Sequence, residues 1–382
     1  VKAIIADHWK SIELITNNIS NQIPISCLIH GKEINHPIGS FINKRSINSL
    51  TKTKYIIANS EFTKNLATEK GCDPKKIYVI NPGISEPQSV SLEADHQAKQ
   101  IYENSDIKII TVSRFDKRKG IDFSLLALKN IQAIYPNFKY VIVGDGDEEE
   151  NLKKTTKNLN LENNVIFLKN ISFDLKNALL KNSNIFLMPA RIEGTSVEGF
   201  GISYIEAASY GIPSIAGKDG GAADAVQHNK TGLLCNGYDH SEIYDSLKKI
   251  IQNKKYLELG ENAKEFAKKF YWKEIIKKYS NDREQMITGL ELAKLDSARV
   301  DLFIIDIMMP RMDGYETCRQ LKLNPELQHI PVIFLTAKSQ EAEIRKGLQL
   351  GAVGYLVKPF NPMSLAEEIT RILEDSQTAA GK

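Results

Sequence analysis

Short apolar runs recur along this chain, spaced by amphipathic stretches of helical length, and that alternation constrains the fold more than any other feature. A run of aliphatic and β-branched residues without polar alternation is a strand covered on both faces, which implies a parallel sheet between helical layers. In residues 1–85 the runs fall at 3–7 (AIIAD), 25–29 (ISCLI), 55–59 (YIIAN) and 77–81 (IYVIN). Residues 60–71 between them carry helical periodicity, with Ser60 the expected N-cap and Gly71 the expected stop. The polar stretch from Ser85 to Ser105 reads as a linker holding one helix. The alternation restarts with strands at 107–112, 140–144, 165–168, 185–189, 213–217 and 232–235, which spells a doubly wound α/β domain. Ligands of such a domain bind beyond the carboxyl ends of its strands. Residues 241–282 are helical and Lys-rich. A last segment reads as helix 289–296, strand 301–306, helix 313–322, strand 331–336, helix 340–350, strand 354–358 and helix 363–374.

Composition changes near residue 283. Residues 1–282 hold four Arg (Arg45, Arg114, Arg118, Arg191), whereas residues 283–382 hold six Arg and only two Asn. Two coding histories joined end to end produce such a step; a tandem repeat does not. A length of 382 residues predicts two to three domains. The net charge of +3 is too small to signal nucleic-acid binding, and no apolar run reaches a membrane-spanning length. Cys27, Cys72, Cys235 and Cys318 have no CxxC spacing, so reduced, partly buried thiols of a cytoplasmic protein are expected.

Three segments carry chemistry. In residues 111–122 (TVSRFDKRKGID), Arg114 and Lys119 lie between a strand and a helix, where two cations can face the strand-end crevice. Fixed cations there would stabilise charge developing on a departing diphosphate. Taken alone, such a pair favours the reading of a solvated basic loop. In residues 193–221, Glu198 sits in a Gly-flanked loop and Glu206 inside the following helix. Gly199, Phe200, Gly201 and Ile202 supply backbone N–H groups at the start of that helix, which suits a phosphate. Each Glu carboxylate can accept two hydrogen bonds and so grip a vicinal diol of sugar or ribose. The alternatives are a dipole-favoured acid for Glu198 and a surface residue for Glu206. The apolar neighbours of Glu206 argue for a buried face and a partner. The third segment, 143–152 (VGDGDEEENL), places Gly144 at a strand end.

Together these residues resemble the group-1 retaining GT-B glycosyltransferases, whose signature is two glutamates separated by seven residues. The resemblance implies that Glu198 touches the donor sugar, Glu206 the ribose, and Arg114 and Lys119 the diphosphate, with Gly144 in the crevice. Residues 220–232 and the VEGFG run look most like mannosyltransferases that use GDP-mannose. By the same resemblance the front of the chain is the acceptor domain, with His30 near the reacting sugar and His8 a weaker acceptor-site candidate. Residues 81–85 (NPGIS) would be its exit and the 270–279 run (FYWKEIIKKY) a helix crossing back onto it. The strand, Gly-rich loop and further strands that the family places before the DHW region at 7–9 are not in this sequence, so that the first domain reads as incomplete and the expected transfer is open to loss.

Residues 301–316 (DLFIIDIMMPRMDGYE) resemble the phosphoacceptor strand and loop of response-regulator receivers. That resemblance implies Asp306 as phosphoacceptor, Thr336 and Lys358 as its phosphoryl contacts, Pro359 as the cis-proline position and Tyr355 as the rotating aromatic. Phosphoryl transfer to a carboxylate uses Mg²⁺. The family's metal-binding acidic pair has no counterpart before Asp301, and a remnant without phosphorelay activity is the favoured expectation. The expected architecture is thus α/β: a GT-B-like pair of Rossmann-type domains plus a partial flavodoxin-like receiver. Its boundaries are 1–90 for the acceptor side, 106–265 for nucleotide-sugar binding, 266–284 for the crossing helix and 285–382 for the receiver. The expected function is transfer of a hexose, mannose being the narrower choice, from a GDP- or UDP-linked donor to a sugar or lipid-linked acceptor with retention. No cofactor is expected for transfer and no metal site, and the expected location is cytoplasmic, with peripheral contact at the inner membrane face. The alternatives are a phosphoacceptor signalling module and a chimeric fragment that only binds nucleotide-sugar. Both incomplete modules would leave a bare strand edge, at 3–7 and 301–306, and a hybrid sheet joining them is a further expectation.

Overall fold

The computed structural model describes residues 4–13, 15, 20, 21, 23–281, 302–306, 314–323, 325, 327–336, 345, 347–357 and 365–380. The chain divides into two compact units: Asp7–Ile12 with Cys27–Asn281, and Val1–Ala6 and Glu13–Ser26 with Asp282–Lys382.

The first sheet takes its strands in the order β1 (Ile4–Ala6), β2 (Ile25–Ile29), β3 (Tyr55–Ala58), β4 (Ile77–Val79). Among the described residues it is accompanied by α1 (Trp9–Glu13), α2 (Phe41–Thr51) and α3 (Glu61–Glu69). Both longer helices begin at a serine. Ser40 Oγ accepts the Asn43 N–H at 3.2 Å and Ser60 Oγ the Thr63 N–H at 3.0 Å, the N-cap geometry that relieves orphan donors. The stretch after Ser85 holds α4 (Leu92–Ile101) as expected, but this helix is more than a linker. Ala94, Ala98 and Tyr102 are buried, and Tyr102 bonds Ser183 at 2.7 Å.

The second sheet has six parallel strands in the order β10-β9-β8-β5-β6-β7. They are β5 (Ile107–Val112), β6 (Phe138–Val143), β7 (Val165–Leu168), β8 (Ile185–Met188), β9 (Ser214–Gly217) and β10 (Gly232–Cys235). All six apolar runs therefore form strands, and burial, complete in β8 and β9 and weakest in the edge strand β7, is why they lack polar alternation. The helices are α5 (Ile121–Gln132), α6 (Glu149–Asn158), α7 (Phe173–Lys181), α8 (Ile202–Ser209), α9 (Ala222–Ala225), α10 (His240–Ile251), α11 (Tyr256–Ala267) and α12 (Trp272–Asn281). The strand order reverses between β5 and β8, whose residues Ile109 and Ile185 are paired. That reversal opens a crevice at the carboxyl ends of β5 and β8, the place where open α/β sheets bind ligands. At the end of this domain, the Ile84 N–H donates to the Phe270 carbonyl at 2.8 Å and the Trp272 N–H to the Ile84 carbonyl at 3.1 Å, so α12 starts against the chain's exit from the first sheet.

The third sheet is β11 (Phe303–Asp306), β12 (Val332–Thr336) and β13 (Gly354–Val357), parallel and in that order. Helices α13 (Gly314–Leu323) and α14 (Leu365–Ala380) belong to the same segment. The hybrid sheet is not formed: β1 and β11 belong to different sheets. The four cysteines are free and all are buried, more completely than the sequence suggests.

Candidate active site

Two loops meet at the strand-order reversal: residues 113–120 after β5 and 189–201 after β8. Phe115 anchors the first by burying its ring, 6.1 Å from that of Phe167. A single turn over Lys117–Lys119, ending at Gly120, then aims the two neighbouring cations. The second loop is stitched to the first by the Arg191 N–H, which donates to the Arg118 carbonyl at 2.8 Å. Arg191 itself is buried and braced by a forked pair to Asp122 at 2.8 and 2.9 Å.

Glu198 is the centre of the arrangement. Its Oε2 accepts from Arg118 Nη1 at 2.7 Å and from Lys119 Nζ at 2.5 Å. Glu198 and Lys119 are 8% and 7% exposed, so the pair works in a low dielectric where such bonds are strong. Burial alone would push the Glu198 carboxyl up; Lys119 and Arg118 outweigh it and hold the group below the ordinary carboxylate range. Among the described residues no group donates to Glu198 Oε1, which keeps an acceptor for a hydroxyl. The stretch 114–119 carries Arg114, Lys117, Arg118 and Lys119 against the single acid Asp116. Positive charge is left over after Glu198 is counted. Ser113 Oγ lies in the same loop, buried and without a hydrogen-bond partner among the described residues.

The expected residues fall out differently. Lys119 and Glu198 are brought together, as a direct ion pair that the sequence reading did not give. Arg114 is exposed, and the guanidinium that reaches Glu198 is that of Arg118, one position before Lys119. Glu206 lies on α8 with its own cation, Lys176 Nζ at 3.1 Å, which in turn sits 4.5 Å over the Phe173 ring. Gly144 has φ +145°, and a Cβ there would stand 1.9 Å from the Ser113 carbonyl oxygen, so only glycine lets the β5 and β6 ends approach. Gly201 is the N-cap of α8 and Ile202 its first residue, so this turn carries the N–H groups that a helix start leaves without a partner in the helix. The Phe200 side chain is fully buried, 5.5 Å from the Phe270 ring, and belongs to the core, which leaves only its backbone N–H for a ligand, as expected of it.

From the first sheet, the end of β2 reaches the same loop. The His30 carbonyl packs so closely on Gly199 that a Cβ at 199 would stand 1.9 Å from it. His30 is exposed, and its backbone N–H donates to Glu33 Oε1. Glu33 also accepts Trp9 Nε1 through its carbonyl at 3.0 Å, which ties the 7–9 segment to His30. Burial draws the His8 imidazole below its usual range, and its Nδ1 accepts the Lys10 N–H at 3.0 Å. In the third sheet, Asp306 and Thr336 close neighbouring strands β11 and β12, and Thr336 is buried. Lys358 and Pro359 lie outside the described residues, as does the side chain of Asp306. Tyr355, on β13, is exposed.

Comparison with known proteins finds two families along the chain. Residues 93–270 match the family model for glycosyl transferases group 1, and residues 239–370 match that for the response regulator receiver domain. The two matches overlap at 239–270, a stretch the structure places in the first compact unit. A GDP-mannose-dependent alpha-(1-6)-phosphatidylinositol monomannoside mannosyltransferase of Mycobacterium tuberculosis is 35% identical over 145 residues, 37% of this chain and 38% of that protein. The alkaline phosphatase synthesis transcriptional regulatory protein PhoP of Bacillus subtilis is 38% identical over 89 residues, 23% of this chain and 36% of that protein. The chain thus spans well under half the length of these relatives. Among solved structures, HepE of Anabaena in complex with UDP superposes with a TM-score of 0.64 at 21% identity, covering 75% of this chain and 79% of that one. That likeness is one of fold.

Proposed function

For a chain that joins a group-1 glycosyl transferase domain of GT-B fold to a response regulator receiver domain, we propose transfer of a hexose from a nucleoside-diphosphate sugar to an acceptor hydroxyl, with retention of anomeric configuration. The observation that carries it is the buried meeting of Arg118, Lys119 and Glu198 at the strand-order reversal. As the glycosidic bond breaks, negative charge grows on the departing diphosphate. Cations already fixed at that point stabilise the transition state more than the ground state. Arg114, exposed at the end of β5, adds a cation that can close on the diphosphate, and the α8 N-terminus adds backbone donors. Glu198 Oε1 receives a sugar hydroxyl, while Glu206, beside Lys176, receives the ribose. The Glu198 carboxylate does not attack the sugar in this reading; it orients it, and its charge is held on by the two cations. His30 stands on the acceptor side of the same loop, where the incoming hydroxyl arrives.

The diphosphate is met by the protein's own cations, so transfer proceeds without a catalytic metal. Mannose from GDP-mannose is the donor favoured by the relatives, and UDP-sugars are the competing class. The acceptor is a sugar or a lipid-linked sugar, reached by peripheral contact with a membrane; no helix among the described residues is long and apolar enough to cross one. Calorimetric titration with a panel of UDP- and GDP-sugars tests the donor site and names its nucleotide. Glu198→Ala is expected to lower donor turnover by more than about tenfold. Wild-type kinetics in that variant would end the assignment of the sugar to Glu198. Proton NMR of the first-formed product reads the anomeric configuration.

A further inference from the structure

The loop that presents Glu198 is fastened to the first sheet's α3 chiefly by one hydroxyl, and α3 is held in addition by a carboxylate of α9. Ser60 is fully buried, and its Oγ has two tasks. As the N-cap of α3 it accepts the Thr63 N–H at 3.0 Å, and it donates to the carbonyl of Gly199 at 2.5 Å. Thr63 Oγ1 lies 3.4 Å from the same oxygen. The preceding carbonyl, that of Glu198, is held from the other side by the Gly221 N–H at 2.7 Å. Two successive peptides of the loop are therefore pinned from opposite sides. The second fastening is Asp224 in α9, whose Oδ2 accepts the Phe62 N–H at 3.5 Å, with the Glu61 N–H contributing as well. A helix leaves its first N–H groups orphaned. In α3, Ser60 accepts the one at Thr63 and the distant Asp224 accepts the one at Phe62, so another part of the fold contributes to the cap.

We propose that Ser60 is a positioning residue, acting through the Gly199 carbonyl to hold Glu198 in register with Arg118 and Lys119, and that Asp224 keeps α3 seated for that purpose. The kinetic part rests on the transfer reading; the structural part does not. The donor loop then has its working shape only while α3 is docked, which links readiness of the donor site to the position of the acceptor side. The steric fit agrees, because Gly199 admits no side chain against His30 and Asn59.

The test compares four full-length proteins: wild type, Ser60→Ala, Ser60→Thr and Ser40→Ala. Ser40 caps α2 in the same way and makes no bond to the donor loop. Each is examined by hydrogen–deuterium exchange of the 198–201 amides and by turnover of the donor that binds. Loss of one hydrogen bond predicts exchange at 198–201, and a fall in kcat, on the order of fivefold in Ser60→Ala, with KM for donor within about twofold. Ser60→Thr restores both, and Ser40→Ala changes neither. Wild-type exchange at 198–201 in Ser60→Ala, or the same change in Ser40→Ala, overturns the proposal. Should Ser60→Ala not fold, Asp224→Ala carries the test: faster exchange at Glu61 and Phe62 supports the clasp, and unchanged exchange refutes it. If wild type binds a donor but never turns it over, the transfer reading fails while the exchange data still decide the clasp.

Discussion

Arg114 and Arg118 show what one turn of backbone does to the meaning of a residue. Both stand in the same short basic loop, and a sequence pattern favours the first. The turn over Lys117–Lys119 swings the second onto Glu198 and leaves the first in solvent. Their replacements should separate accordingly. Arg118→Ala removes a charge-assisted bond to a buried carboxylate and is expected to destabilise the protein by about 1–3 kcal/mol, read as a lower unfolding midpoint. Arg114→Ala should leave the midpoint unchanged and weaken nucleoside-diphosphate binding, read by calorimetry. Equal effects of the two on stability would contradict the geometry. Lys119 and Glu198 were legible because their chemistry depends only on lying at two strand ends. The choice between the two arginines depends on a local turn, and the interest of Ser60 depends on a contact 139 residues away in sequence. Neither leaves a mark on periodicity or composition. The core role of Phe200 is of the same kind: its place beside two glycines points to its backbone N–H, and only the packing shows where its large apolar ring goes.

At the level of elements, the apolar runs were sufficient. Every strand of the two larger sheets was visible as a short aliphatic stretch, because both faces of a parallel sheet are covered. What the runs could not give was the pairing order, since a strand carries no label for its neighbour. That order creates the crevice, by setting β5 between β6 and β8. The helix at 92–101 was legible as a helix but not as a packed one, for its buried face is two small alanines, Ala94 and Ala98, and beside them Asp95 bonds Asn182 and Lys181 at 3.1 Å each. The tight juncture of β5 and β6 offers a direct check. Gly144→Ala would force a positive-φ alanine whose Cβ meets the Ser113 backbone, and a loss on the order of 1–3 kcal/mol is expected. Urea unfolding of the full chain measures it. A neutral result would mean that the two strand ends are not held at this distance.

The whole molecule joins two chemistries with unequal means. The group-1 domain has its complete six-stranded sheet and its charged cluster. The receiver segment offers a three-stranded sheet with Asp306 and Thr336 at adjacent strand ends. Between residue 283 and Asp301 the sequence supplies no apolar run closed by adjacent acids, which the metal-assisted reaction at Asp306 would need. We therefore expect no gain of covalent phosphate when the protein is incubated with a small phosphodonor and Mg²⁺. Intact mass spectrometry decides this, and a phosphorylated species would restore the signalling reading. The buried sulfurs have a practical consequence for such work. Cys27 and Cys72 lie with the first sheet, Cys235 ends β10 and Cys318 is in α13, and burial pushes the Cys72 and Cys235 thiols up to about 11 and about 12. At neutral pH the native chain should resist alkylation by a maleimide, since the thiolate is the reacting species. Under rising denaturant, peptide mapping of the alkylated sites would then record the order in which the three sheets come apart, without any engineered probe.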